Sequence, residues 1–217
     1  MKICRLLPFA FCLLPLQAAP QPLPPPATAA ELARLLQAHY NTVRDFTAQF
    51  THQYRGGVFR QSMTEGGEVK IKKPGRMYWT YTTPEKKEFV SDGSKIYTYV
   101  PADKLVVVSD MPAGDEASTA LLFLTGQGDL VRDFRAAMPK EPPAGLWQLD
   151  LMPKKAQADF TSLSLVVDPK TLALRGLSST DAQDGLSTFI FRNLRENAGL
   201  ADNQFAFKIP RGVEVRR

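Results

Sequence analysis

Apolar residues recur along this chain with two different periods, and the switch between them falls near residue 44. Leu32, Leu35, Leu36, Tyr40 and Val43, with His39 among them, keep the spacing of one helical face, which predicts an amphipathic helix with one side on an apolar surface. From there the period is two. Phe46, Ala48, Phe50, His52 and Tyr54 share one side of a predicted strand, and Asp45, Thr47, Gln49, Thr51 and Gln53 share the other. Gly56-Gly57 permits a turn, and a second strand runs toward Lys73 with Val69 and Ile71 on one face and Glu68, Lys70 and Lys72 on the other. The same count places Lys73 on the apolar side. Further strands are expected at 76–82, 87–91, 95–100 and 104–109, joined by turns at Pro84-Glu85, Asp92-Gly93 and Pro101-Ala102-Asp103.

Ser118 can cap a short apolar helix that carries Leu121, Leu122, Phe123 and Leu124 and stops at Gly126, and residues 129–137 add another helical turn or two. Alternation resumes in Trp147/Leu149/Leu151, Leu163/Leu165/Val167, Leu172/Leu174, Phe189/Phe191 and Phe205/Phe207/Ile209. About eleven strands and two or three helices emerge, a mainly β (α+β) chain. Strands with one apolar and one polar face suit a single curved antiparallel sheet wrapped around its apolar side, with helices over the opening. Whether that interior is a filled core or a cavity, periodicity leaves open.

At 217 residues the chain is long enough for one domain with a substantial core. Lys2 and Arg5, an apolar run over 6–16 and the small residues Ala18-Ala19 have the order of a secretory signal, expected to be removed as residues 1–19. The apolar run is too short to span a bilayer. Residues 20–28 hold five prolines and read as a linker, leaving 29–217 as the folded domain. Both cysteines, Cys4 and Cys12, fall within the signal, so no disulfide is expected in the exported chain, and Phe11 is too bulky for a lipid-attachment site at Cys12. With Lys2 and Arg5 removed, 25 basic residues face 22 acidic ones, a net charge of +3. That balance and the lack of a dense basic run argue against a nucleic-acid partner.

Candidate catalytic chemistry is sparse. The exported chain keeps only His39 and His52 as imidazoles, and no Gly-x-Ser-x-Gly elbow or Ser-x-x-Lys pattern occurs. A lone histidine on an apolar face is more often a satisfied core residue than a base, so no catalytic residue and no enzyme activity is expected. A lipid hydrolase would need a nucleophile activated by His39 or His52. No residues have metal-ligand spacing, and Gly126-Gln127-Gly128 lacks the third glycine of a nucleotide loop, so neither a metal nor a cofactor is expected.

One block carries a family resemblance. Lys73-Pro74-Gly75-Arg76-Met77-Tyr78-Trp79 leads through Tyr81 and Pro84 to Ser91-Asp92-Gly93, a helix before it enters Phe46-Thr47-Ala48-Gln49-Phe50, and a segment from Phe205 to Val215 closes the chain. This pattern resembles the periplasmic outer-membrane lipoprotein carrier family, LolA. The resemblance implies an incomplete (half) β-barrel under a helical lid, with an interior cavity for acyl chains lined by Phe46, Phe50, Val69, Ile71, Met77, Trp79, Tyr81, Phe89 and Trp147. It implies a lid carrying Leu36, Tyr40, Leu121, Leu122 and Leu124, latched by Lys73 where the family often has arginine. Lysine lacks the planar fork of arginine, which leaves a weaker latch or one that depends on Arg76. The implied function is a periplasmic, monomeric chaperone that shuttles acylated lipoproteins from an inner-membrane ABC exporter of LolCDE type to an outer-membrane acceptor of LolB type. The alternative is a lipid- or lipoprotein-sensing regulatory protein on the same fold.

Overall fold

The computed structural model describes residues 23–56, 62–111, 128–157 and 160–217. The signal segment and the helix expected to carry Leu121, Leu122 and Leu124 lie outside the described residues. Helix α1 (Ala29–Thr42) starts at a capping box, in which the Thr28 hydroxyl accepts from Glu31 N at 3.1 Å and the Glu31 carboxylate accepts from Thr28 N at 3.2 Å. Strands β1 (Asp45–Arg55), β2 (Ser62–Lys72), β3 (Arg76–Thr83), β4 (Lys87–Asp92), β5 (Lys95–Val100) and β6 (Leu105–Asp110) then form an antiparallel meander. A second meander follows in β7 (Phe134–Ala137), β8 (Trp147–Pro153), β9 (Ser162–Val167), β10 (Leu174–Thr180) and β11 (Leu186–Glu196).

The two meanders join where β1 pairs with β11, and β12 (Glu214–Arg216) adds to the far edge of β6. The sheet order is β12-β6-β5-β4-β3-β2-β1-β11-β10-β9-β8-β7, and the two ends do not pair. Residues of β1, β2, β3, β8, β9, β10, β11 and α1 nevertheless share one buried cluster, which includes Phe50, Trp79, Leu149, Leu165 and Phe191. Strands so far apart in the order meet only if the sheet curls, so the architecture is an open barrel, closed over in part by α1. The helix buries Leu32, Ala33 and Leu36, and it is tied to the second meander where Gln37 accepts from Leu130 N at 2.8 Å.

Three expectations change. Among the described residues the sheet has twelve strands, in keeping with the eleven or so expected, but β12 pairs with β6 in parallel, so the sheet is not wholly antiparallel. Helix occupies only Leu130–Asp133 of residues 129–137, capped by Asp129, whose carboxylate accepts from the amides of Val131 and Arg132. Phe134–Ala137 is strand, because Phe134 is buried only when this segment pairs with β8. Finally, Phe205, Phe207 and Ile209 form no strand and do not face the interior. Asp202–Phe205 is a 3₁₀ turn against the outer face of β3 and β4, and Phe207 stacks on Tyr97 at 5.2 Å between ring centres. The outer face there offers Val90 and Tyr97, apolar surface of strands whose concave side is already occupied, so alternation alone could not choose a side.

Candidate functional site: the concave face and its latch

The concave face is built as rows across neighbouring strands. Phe189 and Phe191 of β11, Phe50 of β1, Trp79 and Tyr81 of β3 and Phe89 of β4 meet there, most pairs edge-on or tilted and Phe189 stacked on Phe191. Phe50 lies 5.1 Å from Trp79, 4.9 Å from Tyr81 and 5.9 Å from Phe189 between ring centres. Tyr81 lies 5.6 Å from Phe89, and Trp79 lies 5.2 Å from Phe189. These separations are those of packed aromatic cores. Of the nine residues expected to line a cavity, Phe46, Phe50, Val69, Ile71, Met77, Trp79 and Tyr81 are buried in the common cluster and Phe89 packs against it. Trp147, partly buried on β8 opposite Val167, packs against the same cluster.

Between α1 and the second meander a cavity of about 30 Å³ is lined by Leu36, Tyr40, Phe46, Leu165, Leu172 and Leu194, among others. That is room for a water molecule or two. An acyl chain can enter this space only if α1 or the side chains that line it move. Leu165, Leu172 and Leu194 are wall residues that the resemblance did not supply. Leu165 and Leu172 belong to alternating sets visible in the sequence, Leu194 falls out of step with Phe189 and Phe191, and which strands stand opposite α1 is set by the β1–β11 junction, which joins residues about 140 positions apart.

Beside this space stands the latch. Lys73 N donates to Arg44 O at 2.9 Å, its ammonium donates to the Tyr40 carbonyl near the end of α1, and Nζ lies 3.3 Å from the centre of the Tyr40 ring. One lysine thus holds the helix through a charge-assisted hydrogen bond and a cation–π contact. Burial pushes the Lys73 ammonium down to about 8, and the Glu196 carboxylate acts in the opposite direction. The Tyr40 phenol is pushed up, by burial first and by Glu196 second. Glu196 also meets His39 of α1 at 3.1 Å, so His39 is a satisfied polar residue beside the latch.

The motif block positions this lysine. Ser91 is fully buried, its hydroxyl donates to Gly75 O at 2.8 Å and accepts from Gly93 N at 3.2 Å, so the Pro74-Gly75 and Ser91-Asp92-Gly93 turns lock into each other. Both glycines have positive φ, +73° and +99°, and a side chain at Gly75 would sit 3.4 Å from the Gly93 backbone. Arg76 takes no part in the latch. It reaches Asp202 at 3.4 Å on the outer face, because it pairs with Lys72 across the turn and shares that residue's side of the sheet.

The family described as outer membrane lipoprotein carrier protein LolA matches residues 41–208. The chain belongs to the LolA family. This LolA-family chain is 29% identical over 184 residues to an outer-membrane lipoprotein carrier protein of Legionella pneumophila, covering 84% of the chain and 88% of that relative. It is 28% identical over 197 residues to the protein of the same description from Nitrosomonas europaea, covering 90% and 93%. Among solved structures, an uncharacterized conserved protein of Thermus thermophilus shares the fold at a TM-score of 0.53 and 13% identity, covering 86% of this chain and 99% of that one. Among the described residues of the LolA-family chain, no group of His, Cys, Asp and Glu could hold a metal ion, and no helix is long and apolar enough to cross a membrane.

Proposed function

We propose that the chain is a carrier of acylated lipoproteins that binds their acyl chains on the concave apolar face, beneath α1. The observation that carries this is the apolar interior, closed in part by a helix whose last turn is held by one half-buried lysine. The space of about 30 Å³ between α1 and the second meander is too small for a chain, so a chain that loads there displaces the lid. Magnitude supports a two-state cycle: burial contributes about 0.8 kcal/mol per methylene, so fifteen methylenes approach ~12 kcal/mol, too tight for a carrier that must release. If the empty protein re-buries its own aromatic floor when the chain departs, closure offsets part of that cost. Leu36 and Tyr40 act as lid residues and Lys73 as the latch, with Phe46, Phe50, Val69, Ile71, Met77, Trp79, Tyr81, Phe89 and Trp147 as the floor.

In the same proposal, residues 1–19 direct export to the periplasm, 29–217 form the carrier domain, and a monomer takes lipoproteins from an inner-membrane ABC exporter to an outer-membrane acceptor without chemistry of its own. The test uses spheroplasts that make a triacylated lipoprotein. Added protein is expected to release it from the inner membrane in a soluble one-to-one complex. Retention on the membrane, with the added protein verified as folded, would refute the carrier role.

A further inference from the structure

Three polar or charged residues are buried among the described ones: Asp45, Glu65 and Ser91. Two have structural work. Asp45 accepts from the amides of Gly199 and Leu200, and Ser91 joins the two turns beneath the latch. Glu65, only 5% exposed, holds no backbone group. It lies on the concave face of β2, opposite His52 of β1, and completes a row that runs across the sheet. Ser187 Oγ is 2.8 Å from His52 Nε2, His52 Nδ1 is 3.1 Å from Glu65 Oε2, and Lys87 Nζ of β4 is 2.5 Å from Glu65 Oε1. The His52 ring stacks on Phe189 with centres 4.2 Å apart, and Lys87 Nζ lies 4.4 Å from the Tyr81 ring centre.

The row borders the aromatic floor at the end away from Lys73. His52 is seven residues along β1 from Asp45, which pairs with Lys72, so row and latch are roughly 23 Å apart along the strand. An ion pair buried in this way rarely stabilises a fold more than apolar side chains of the same shape would. Its place at one end of an apolar interior therefore calls for a use in binding.

We propose that the Ser187–His52–Glu65–Lys87 row is the polar subsite of the acyl cavity and receives the ester carbonyls and amide at the head of an acylated peptide. This rests on the carrier reading and deepens it by giving the bound ligand a direction. The chemistry is complementary. Lys87 has three N–H donors, of which Glu65 takes one, and its side chain is 24% exposed, so donors remain for ester carbonyls, which accept and cannot donate. Burial lowers the His52 imidazole, favouring its neutral form. With Nδ1–H donating to Glu65, Nε2 accepts from the Ser187 hydroxyl, and the Ser187 oxygen is left to accept an amide N–H.

The order Ser187, His52, Glu65 is also that of an acyl-transfer relay, and an ester bound here would lie near the hydroxyl. Ser187, however, sits inside β11 with strands on both sides, opposite Tyr54 and Ser179, so the neighbouring amides belong to the ladders and none is aimed at a developing oxyanion. Glu65 is shared with Lys87 as well. The row is built to hold an ester in place.

The test compares a dipalmitoylglyceryl-cysteine peptide with its dialkyl-ether analogue, which lacks the ester carbonyls, by displacement of a fluorescent fatty acid from the full exported chain. The wild type is expected to bind the ester about tenfold more tightly, the worth of a hydrogen bond to a charged donor. The Glu65→Gln/Lys87→Met double variant, with its melting temperature measured, is expected to bind both at the ether level. Equal binding of ester and ether by the wild type would overturn the subsite alone, whereas binding of neither would overturn the carrier reading. A diacyl phospholipid and its ether analogue run in parallel: preference in that pair and not in the peptide pair would overturn the assigned source of the carbonyls. Release of free fatty acid that disappears in Ser187→Ala would overturn positioning in favour of hydrolysis.

Discussion

Phe50→Ala tests whether the aromatic floor is a packed core in the empty protein. Phe50 is 4% exposed, and three rings surround it, at 5.1, 4.9 and 5.9 Å between centres. Truncation of a buried phenylalanine costs about 3–5 kcal/mol, through lost transfer energy and the cavity left behind. Each edge-on aromatic pair adds about 0.5–1.5 kcal/mol beyond area, which places the expectation near 4 kcal/mol. For a domain of this size that lowers the melting temperature by roughly 8–16 °C. Urea unfolding followed by circular dichroism should give a lower midpoint with an unchanged slope. An N-palmitoyl peptide should then raise the midpoint more in the variant than in the wild type, because the missing ring leaves space that a chain can fill. A loss below about 1 kcal/mol would refute the packed floor, and with it the argument that closing the empty carrier offsets the cost of release.

At the latch, NMR titration of the Lys73 ε-methylene should give a midpoint near pH 8, against an ordinary 10.5; a midpoint near 10.5 would show the ammonium to be solvated. A base whose pKa is lower in the closed form makes that form relatively more stable as pH rises from about 8 to 10.5, and the cost of the buried charge is fully present below 8. Gly67→Ala would place a methyl carbon 1.9 Å from Thr80 O at the β2–β3 irregularity and should cost about 2–3 kcal/mol in urea unfolding. Gly66→Ala meets the Thr83 hydroxyl at 3.0 Å and Phe50 O at an ordinary 3.6 Å, and should cost less; the reverse order would contradict the packing described. Asp45→Ala strips an acceptor from the Gly199 and Leu200 amides, and is expected to cost about 1–3 kcal/mol and to speed hydrogen exchange at both.

Alternation was enough to place the strands from Phe46 to Ser109 and to put Phe50, Trp79 and Tyr81 on one face, because a strand buried on one side writes its geometry into every second residue. The same parity that flagged Lys73 also puts Glu65 on the apolar side of β2, two steps before Val69, and His52 was already counted there. That signal was legible and went unused, since one acidic residue near a strand end looks like solvated surface until its partners are known.

Other features had no local signature. The partners of Glu65 come from β1 and β4, Ser187 arrives from 135 positions beyond His52, and the parallel seating of β12 joins chain segments about 110 residues apart. Phe205 reads like a strand residue in sequence and lies instead against the outer face. Period and turn chemistry act between neighbours and so can be read along the chain. Which strand stands beside which, how far the sheet curls, and whether the interior is filled depend on contacts summed over the whole molecule, where apolar area is non-directional and is satisfied equally well by a ring or an acyl chain.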